Sequence, residues 1–517
     1  MTAPWIYARA READVRHLAE LLAFALKPGD VIALRGELGA GKSTLARALI
    51  RALLSDETAE VPSPTFSLVQ TYATPRFPVS HLDLYRLGDA DEARELGLEE
   101  LIATGAALIE WPDRAEELLP DDRIEIHFEE DPALDPSERN IKIEGLGSAQ
   151  SRVDRLRIID RFLHQSDWAD GQFSYLQGDA SARRFARIVR NGSSVVLMDA
   201  PPQPDGPPIR DGKPYSRIAH LAEDLRPWVA ITSTLRALGL SSPEIVAQDL
   251  EAGLLLVEDF GDEAFGRAVA LGTADQKELW RAAVDVLVHL RGHPAPDAIT
   301  LDSGYVHKLP TYDRDALQIE VELLLDWYWP ALYGKPPNDA ARTEYIGLWN
   351  AVFDDLLKQP YTAWVLRDFH SPNLMWLPHR SGLRRVGILD CQDAVKGHAA
   401  YDLASLLQDA RVDVPEALEQ ELFDYYCTAA AARDPNFDRD DFTFAYAALC
   451  AQRNTKVLGI FARLSRRDGK NGYLRHIPRI WRYLDRDLAH TELRALKTWY
   501  DLNFPAEHRV LPGVDQA

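Results

Sequence analysis

The feature that most constrains this 517-residue chain lies near its start, where Gly36 to Ser43 read GELGAGKS. This is the pattern GxxxxGK[ST]. It follows the apolar, strand-like run DVIALR and overlaps the start of the helix-forming run KSTLARALIRALL. Glycines in such a loop let backbone N–H groups turn inward around a phosphate, and the N-terminus of the following helix adds partial positive charge. The sequence therefore predicts a strand–loop–helix unit that binds a nucleoside triphosphate.

The motif assigns a role to particular side chains. Gly36, Gly39 and Gly41 would shape the loop. Lys42 would bridge the β- and γ-phosphates of ATP, and the Ser43 hydroxyl would bind Mg²⁺. ATP and Mg²⁺ are therefore the predicted cofactors of this part of the chain.

Three further segments carry polar side chains that a phosphate site needs. Thr65 lies in the proline-stiffened run VPSPTFSLVQTY, where it could sense the γ-phosphate or Mg²⁺. Asp83 lies in the strand-like run HLDLYRL as a second, water-mediated Mg²⁺ carboxylate, and Glu110 ends the apolar run LIE. Taken alone, Thr65 or Asp83 would be a turn residue or a solvated charge. As a set, the three side chains favour a nucleotide-hydrolysing site.

In this order, GELGAGKST, PSPTF, HLDLYR and IEWPDR resemble TsaE, the small P-loop ATPase family of the bacterial tRNA threonylcarbamoyladenosine machinery, over residues 10–145. The resemblance implies a mixed, mainly parallel sheet flanked by helices. It also implies an ATPase that is active only with the protein subunits of the threonylcarbamoyl-transferase complex, so that tRNA is reached indirectly. By this resemblance Lys42, Ser43 and Thr44 hold phosphate and Mg²⁺, Thr65 is a switch-loop sensor, and Asp83 and Glu110 are the catalytic and metal-linked carboxylates.

A second set of polar residues lies in the later part of the chain, in LRDFHSPNLMWL and VGILDCQDA. Asp368 and Asn373 are five residues apart, and Asp390 ends an apolar strand. In kinase-type sites the first Asp accepts the substrate hydroxyl proton, while the Asn and the second Asp bind Mg²⁺ ions that bridge the ATP phosphates. His370 lies inside the same loop and is a candidate substrate contact.

Upstream segments would complete a nucleotide site. A strand–turn–strand run at 176–202 is where a phosphate-covering hairpin is expected, and GLLLVEDFGD would pair with adenine through backbone groups. The residues assigned there are Gly178, Ser181, Arg183, Arg184, Glu258 and Phe260. Asp199 takes the place of the usual phosphate-binding Lys, so we expect Arg183 or Arg184 to supply the missing charge. On the predicted helix at 309–329, Glu320 and Glu322 are candidates for binding sugar hydroxyls.

Together GDASARRF, VLMDAPP, VEDFGD, LPTYD, RDFHSPNLMWL, ILDCQDA, YDLASLLQDAR and KVLGIFARL resemble the anomeric sugar kinases of peptidoglycan recycling, within the aminoglycoside-phosphotransferase group, over residues 155–505. The resemblance implies ATP-dependent phosphorylation of the anomeric hydroxyl of N-acetylmuramate or N-acetylglucosamine, with Asp368 as the base. Two alternatives stay open. The acceptor could be another small alcohol of the aminoglycoside, choline or homoserine type, or the module could be a non-catalytic, nucleotide-sensing pseudokinase.

The sequence thus predicts an α/β P-loop NTPase domain at 1–147, a short flexible linker at 148–154, and an α+β two-lobed protein-kinase-like domain at 155–517, with lobes meeting near 262–263. A net charge of −22 disfavours wide contacts with nucleic acid, so no DNA partner is expected. No apolar run is long enough for a membrane helix. Three scattered cysteines fit a reducing cytoplasm. The predicted small-molecule substrate is an amino sugar.

Overall fold

The computed structural model describes residues 4–88, 90–176, 183–202, 205–358 and 362–509. Chain contacts divide the molecule into two compact units. The first contains Met1–Ala200 with Val246–Asp259, and the second contains Pro201–Ile245 with Phe260–Ala517. The first unit therefore includes residues from both predicted domains.

The elements up to Asp199 alternate strands and helices, and all of them lie in the first unit. They are β1 Trp5–Ala10, α1 Glu12–Ala25, β2 Val31–Arg35, α2 Lys42–Leu54, β3 Val69–Ala73, β4 Pro78–Asp83, α3 Ala90–Glu95, α4 Leu98–Thr104, β5 Ala106–Glu110, β6 Ile124–Glu129, β7 Arg139–Gly145, α5 Ala149–Gln165, β8 Gln172–Leu176, β9 Arg184–Arg190 and β10 Ser193–Asp199.

The elements after Asp199 are mostly helical. They are β11 Pro208–Arg210, β12 Lys213–Pro214, α6 Tyr215–Ile218, α7 Arg226–Ala237, β13 Ile245–Asp249, β14 Leu254–Glu258, α8 Phe265–Leu271, α9 Gln276–Arg291, β15 Ala298–Thr300, β16 Val306–Lys308, α10 Arg314–Leu323, α11 Trp329–Tyr333, α12 Asp339–Leu356, β17 Ala363–Val365, β18 Leu374–Trp376, β19 Val386–Ile388, β20 Val395–Gly397, α13 Ala400–Leu407, α14 Glu416–Arg433, α15 Arg439–Asp468, α16 Ile477–Asp487 and α17 Arg494–Asn503.

The first unit is built on a seven-stranded sheet of order β1-β7-β6-β2-β5-β4-β3. The inner strands β6, β2, β5 and β4 pair in parallel, while β3, β7 and β1 join antiparallel at the edges. VIALR and AALIE form inner strands because strands buried on both faces are continuously apolar. The sheet is mixed, as the TsaE resemblance implied, and it brings the carboxyl ends of β2, β4 and β5 to one edge.

A second sheet of order β13-β14-β10-β9-β8 shares a hydrophobic core with the larger one. Helices α1 and α5 supply much of this core. Its buried side chains include Leu18, Phe24, Val153, Ile159, Phe173, Ile188, Leu197 and Leu254. These residues come from both predicted domains, so the P-loop region and the small sheet pack around a common core.

Residues 149–165 form the helix α5, where the sequence predicted a flexible linker at 148–154. The linker prediction is wrong because apolar residues recur at helical spacing from Val153 to Leu163 and are buried on one face. Two polar contacts tie this segment to the P-loop region. Arg152 Nη2 donates to Asp30 Oδ1 at 2.7 Å, and Ser148 Oγ donates to Asp122 Oδ2 at 2.6 Å.

The second unit is mainly helical and packs around one large core that includes α9, α10, α12, α13 and α15. The 30-residue helix α15 lies against α10 at Gly459, where an added Cβ would come within 2.5 Å of the carbonyl oxygen of Leu323. The same two helices are also joined by Lys456 Nζ, which donates to Glu320 Oε1 at 2.8 Å. Within the described part of the chain, no helix combines the length and apolarity that a bilayer span requires.

Candidate phosphate and phosphotransfer sites

The loop between β2 and α2 requires glycine at the positions that the motif predicted. Gly36 has φ +142, and a Cβ there would lie 2.9 Å from the carbonyl oxygen of Phe128. Gly41, which precedes the first residue of α2, has φ +113. Both conformations are in the region that only glycine adopts readily. The loop therefore leads directly into a helix N-terminus, which is the geometry of an anion site.

Lys42 begins α2 and folds back over this loop. Its Nζ donates to the carbonyl oxygens of Gly36 at 2.6 Å and Glu37 at 2.8 Å, and lies 3.9 Å from the ring centroid of Trp111. Burial lowers the pKa of Lys42, and Glu110 and Asp83 partly oppose that shift. The ammonium group is thus at the loop mouth, close enough to two carboxylates to be influenced by both.

Ser43 and Glu110 are brought together from α2 and β5. Ser43 Oγ donates to Glu110 Oε2 at 2.9 Å, and the other oxygen, Oε1, lies 2.9 Å from His81 Nε2. Glu110 is buried, and its neighbour on β4 in register is Asp83. His81 was not assigned a role from the sequence. The sequence did contain a signal for His81, because it lies two residues before Asp83 on the same strand and so projects from the same face.

Thr65 and Asp83 form a second pair at this edge. Thr65 Oγ1 donates to Asp83 Oδ2 at 3.0 Å, and the backbone N–H of Tyr85 donates to Asp83 Oδ1 at 3.1 Å. Thr44 lies one residue beyond Ser43, with its side chain exposed. All the side chains that the sequence proposed for this site therefore lie on the loop, on α2, or at the carboxyl ends of β4 and β5 and the segment between α2 and β3.

In the second unit, the loop after β17 gathers Asp368, His370 and Asn373. Asn373 Nδ2 donates to the carbonyl oxygen of Asp368 at 3.1 Å, and His370 Nε2 lies 3.8 Å from Asp368 Oδ1. The backbone N–H of Leu389 donates to the carbonyl of Asn373 at 2.9 Å, which puts the following residue, Asp390, beside the loop. The three residues predicted to form a phosphotransfer site are therefore brought together.

Two buried carboxylates, one in α13 and one just after it, accept hydrogen bonds from the backbone of this loop. Asp402 accepts hydrogen bonds from the backbone N–H groups of Leu366 at 2.6 Å and Arg367 at 2.9 Å. Burial raises the pKa of Asp402 to about 7, although these two hydrogen bonds oppose the shift. Asp409 accepts from the N–H of Ser371 at 2.7 Å. The sequence pointed to Asp402 through YDLA, but it gave no sign of the role of Asp409.

Asp368 lies in cationic surroundings. Partial burial opposes its ionisation, but His370, Lys456 and Arg367 together hold the pKa of its carboxyl below the usual value. Arg367 has φ +66, and its Nη1 donates to the carbonyl of Ala219 at 2.6 Å. The carboxylate at Asp368 is consequently ionised at neutral pH, as a proton acceptor must be.

Glu320 and Glu322 do not fit the sugar-binding role predicted for them. Glu320 is fully buried, accepts from Lys456 Nζ at 2.8 Å and Gln452 Nε2 at 3.0 Å, and is also bound by Arg367 and Tyr312. Although burial opposes it, Lys456 and Arg367 lower the pKa of Glu320 to about 2. The prediction failed because three of these partners, Arg367, Gln452 and Lys456, come from distant parts of the chain.

Glu322 is bound in a similar way, by cations from two other segments. Arg210 Nη2 lies 2.8 Å from each of its carboxylate oxygens, and Arg342 Nη1 lies 3.4 Å from Oε2. Both predicted sugar ligands are therefore acceptors within the protein itself.

The small sheet also changes the assignment of Arg184. β9 and β10 pair Arg184 with Asp199, so these residues project from the same face. Asp199 is fully buried and accepts from Arg184 Nε at 3.0 Å and Arg155 Nε at 2.9 Å. The Arg184 guanidinium also lies 4.8 Å from the ring centroid of Phe24 on α1. Arg184 thus neutralises Asp199 on the face covered by α1 and α5, which argues against a phosphate role for it.

The opposite face of the small sheet carries Met198, Val196 and Arg187. Arg187 Nε donates to Asp259 Oδ2 at 2.7 Å. Arg187 was not predicted from the sequence. The alternation of side chains along the strand RRFARIVR was the available signal, because it places Arg187 on the face opposite Arg184. Gly178 and Ser181 lie outside the described residues, and Arg183 immediately precedes β9.

The two predicted adenine contacts lie in different units. Glu258 ends β14, opposite Val195 of β10. In the second unit, the Phe260 ring packs against Gly387. A Cβ at position 387 would come within 2.8 Å of this ring.

These sites define a class of protein: a phosphate-binding α/β module joined to a phosphotransferase. Comparison with known proteins supports both parts. A family model described as threonylcarbamoyl adenosine biosynthesis protein TsaE matches residues 9–141, and one described as phosphotransferase enzyme family matches residues 172–440.

Individual relatives divide in the same way. The N-acetylmuramate/N-acetylglucosamine kinase of Caulobacter vibrioides is 38% identical over 357 residues, which cover 67% of this chain and 96% of that protein. The tRNA threonylcarbamoyladenosine biosynthesis protein TsaE of Rickettsia felis is 39% identical over 156 residues, which cover 30% of this chain and 89% of that protein. The chain therefore belongs to the TsaE family through its N-terminal region and to the phosphotransferase enzyme family through its C-terminal region. The predicted fusion, and its nature as an enzyme with a phosphotransferase part and an ATPase part, are confirmed.

Proposed function

We propose that the C-terminal region transfers the γ-phosphate of ATP to the anomeric hydroxyl of N-acetylmuramate or N-acetylglucosamine. We also propose that the N-terminal region, with a P-loop NTPase fold, is the ATPase subunit of tRNA threonylcarbamoyladenosine modification. The observation that carries the kinase proposal is the loop that groups Asp368, Asn373 and Asp390 and is held by Asp402. The names of the relatives supply the substrate class.

In the proposed kinase reaction, Asp368 accepts the proton of the sugar hydroxyl as that oxygen attacks the γ-phosphate. The cations around Asp368 keep it ionised and ready for this step. Asn373 uses its Nδ2 to bond the Asp368 carbonyl, so its Oδ1 and the Asp390 carboxylate are the oxygen donors, a set that suits Mg²⁺. Mg²⁺ bound by these residues would neutralise phosphate charge. Positioning of the reacting groups by the loop supplies the remaining rate acceleration.

The charges of the second unit favour a neutral or acidic acceptor over a cationic one. An aminoglycoside carries several ammonium groups, whose binding is favoured by unpaired carboxylates. Glu320 is neutralised by Arg367 and Lys456, and Glu322 by Arg210 and Arg342. This pairing disfavours the alternative acceptors that carry amines and favours an N-acetylated sugar.

The pseudokinase alternative loses its main support. It rested on Asp199 at the position of the usual phosphate-binding Lys. Asp199 belongs to an internal network with Arg155 and Arg184, so its negative charge is already compensated. Arg187 is paired with Asp259 in the same way as Arg184 is with Asp199, so Arg183, which immediately precedes β9, is the proposed source of positive charge for the phosphates.

For the N-terminal region, Lys42 would bind the β- and γ-phosphates after leaving the loop carbonyls. The oxygen donors Ser43 and Glu110 suit Mg²⁺, and Thr65 bonded to Asp83 would respond to the γ-phosphate. The proposed partners are protein subunits of the threonylcarbamoyl-transferase complex, in the cytoplasm. No role is proposed for direct contact with tRNA.

The kinase proposal is tested by ADP release from the full chain with each of the two sugars. Lys42→Ala provides the background, because it removes ATP turnover by the other site. We expect sugar-dependent ADP release that Asp368→Asn abolishes. No sugar-dependent release in the Lys42→Ala protein would refute the kinase proposal.

The ATPase proposal is tested with Asp368→Asn as the background. Weak ATP turnover by this variant should rise when the subunits of the threonylcarbamoyl-transferase complex are added, and the rise should be lost with Lys42→Ala. Strong turnover without those subunits, or no response to them, would contradict the proposal.

A further inference from the structure

Basic side chains follow one face of α15 in the second unit. Arg453, Lys456 and Arg463 are separated by three and seven residues, which places them within an arc of about 80° on a helix of 3.6 residues per turn. The face begins near the proposed base, because Lys456 and Arg367, the residue next to Asp368, share one oxygen of Glu320. A substrate whose hydroxyl lies at Asp368 would therefore extend along a row of cations.

The three cations differ in how far the protein satisfies them. Lys456 lies 2.8 Å from Glu320 Oε1, which is shared with Arg367. Arg453 is buried, with Nη1 3.4 Å from the carbonyl of Gln408. Arg463 has no carboxylate within ion-pair distance in the part of the chain that the structure describes, and its Nε is buried without a hydrogen-bond partner.

Tyr215 connects Arg463 to the rest of the row. The Arg463 guanidinium lies 5.5 Å from the centroid of the Tyr215 ring. Burial and Glu320 raise the pKa of Tyr215, while Lys456 and Arg463 act in the opposite direction. Tyr215 belongs to α6, which also packs Ile218 and Ala219 against Ile319 of α10. An aromatic ring beside a guanidinium offers an apolar contact for a sugar and a cation for an acidic group.

We propose that Arg463, with Tyr215 beside it, recognises the carboxylate of N-acetylmuramate. This sugar differs from N-acetylglucosamine by a lactyl ether that ends in a carboxylate, and it has the same anomeric hydroxyl. The planar guanidinium presents paired donors that match a carboxylate, and its charge is not spent on an acidic side chain. The inference rests on the proposed kinase function and adds the residue that distinguishes its two substrates.

The test is steady-state kinetics of the full chain with each sugar, using Arg463→Ala, Arg463→Lys and the control Arg439→Ala. Arg439 begins the same helix about 36 Å from Arg463 and is an exposed partner of Asp424. Arg463→Ala should raise KM for N-acetylmuramate about tenfold, the scale of one charge-assisted hydrogen bond, and should change KM for N-acetylglucosamine less than about twofold. Arg463→Lys should recover part of the loss, and Arg439→Ala should match the wild type.

Each other result has a definite meaning. An equal rise in KM for both sugars, or no rise for either, would refute recognition of the carboxylate by Arg463 while leaving the kinase proposal intact. A wild-type chain that phosphorylates neither sugar would refute the kinase proposal, and this inference with it. If Arg463→Ala is insoluble, Arg463→Gln removes the charge with less loss of packing and takes its place.

Discussion

The loop after β2 and the loop after β17 serve comparable chemistry but are held in different ways. In the first, glycine conformations and strand register place the functional groups, which lie on α2, at the ends of the neighbouring strands β4 and β5, and just before β3. In the second, the loop depends on carboxylates from other helices, including Asp402, Asp409 and Glu320. A site made by local backbone geometry can be recognised from a short motif. The residues of the second loop also form a motif, but the remote buried charges that hold this loop cannot be recognised from it.

The largest expected effect separates the two loops by function. Asp368→Asn should lower sugar-dependent ADP release by about 10²–10⁴-fold, because it removes the proton acceptor. It should leave subunit-stimulated ATP turnover unchanged, whereas Lys42→Ala should have the reverse effect. ADP release in the presence of sugar or of the partner subunits measures each activity. If either substitution removed both activities, the two sites would not be independent.

The sequence predicted which side chains lie together at the glycine loop and at the loop after β17, while their roles stay predictions. Asp83 and Glu110 end neighbouring parallel strands, which bring them to one edge of the sheet, and Ser43 and Thr65 reach them from α2 and from the segment before β3. Asp368, Asn373 and Asp390 were identified from spacing alone.

What the sequence could not predict depends on tertiary pairing. Glu320 was taken as a sugar ligand because nothing local shows that Arg367, Lys456, Tyr312 and Gln452 converge on it. The helix α5 was taken for a linker because Gly145–Gln150 resembles a flexible segment, and the apolar face beginning at Val153 was not weighed against it. The first error concerns which distant groups a residue meets, whereas the second passed over a helical pattern that the sequence itself contains.

The second prediction concerns the stability of the remotely held loop. Glu320→Ala leaves the buried charges of Arg367 and Lys456 without their shared carboxylate. Removing one partner of a buried charge network costs about 3–5 kcal/mol of the free energy of unfolding. Urea unfolding of the full chain, monitored through the loss of kinase activity, measures this change. Glu421→Ala is the control, since its carboxylate forms an exposed pair with Lys277, and a Glu320→Ala protein as stable as this control would refute the account.

The third prediction tests whether the P-loop region and the small sheet share one core. Phe24 of α1 is buried, with its ring centroid 5.2 Å from that of Phe173 in β8. Phe24→Ala should cost about 3 kcal/mol of unfolding free energy. Because one core supports both regions, subunit-stimulated ATP turnover and sugar phosphorylation should both be lost at a lower temperature. Leu502→Ala, at an exposed position of α17, is the control. Loss of ATP turnover alone would show that the two regions unfold separately.

The smallest expected effect is a pH dependence at the same junction. Glu20 of α1 lines a cavity of about 130 Å³ with Phe24 and Tyr175, and accepts a hydrogen bond from the N–H of Phe173 at 3.2 Å. Burial raises the pKa of Glu20 to about 8, with a further rise from Glu57 and a decrease from Arg16 and the Phe173 hydrogen bond. The folded-state pKa is above the unfolded-state value, so the native chain binds more protons, and its stability falls as pH rises from about 4.5 towards 8.

Glu20→Gln should remove this part of the pH dependence and raise the free energy of unfolding by about 2 kcal/mol at pH 8, while changing it little at pH 4.5, where Glu20 is already protonated in the folded chain. The measurement is the urea midpoint of both proteins between these two pH values. Glu99→Gln, at an exposed position of α4, controls for the general loss of one negative charge. The difference between the two variants isolates the buried carboxyl from the net charge. A pH profile of Glu20→Gln parallel to that of the wild type would mean that water in the cavity hydrates the carboxylate, so that the junction between α1 and the small sheet is wetter than its burial indicates.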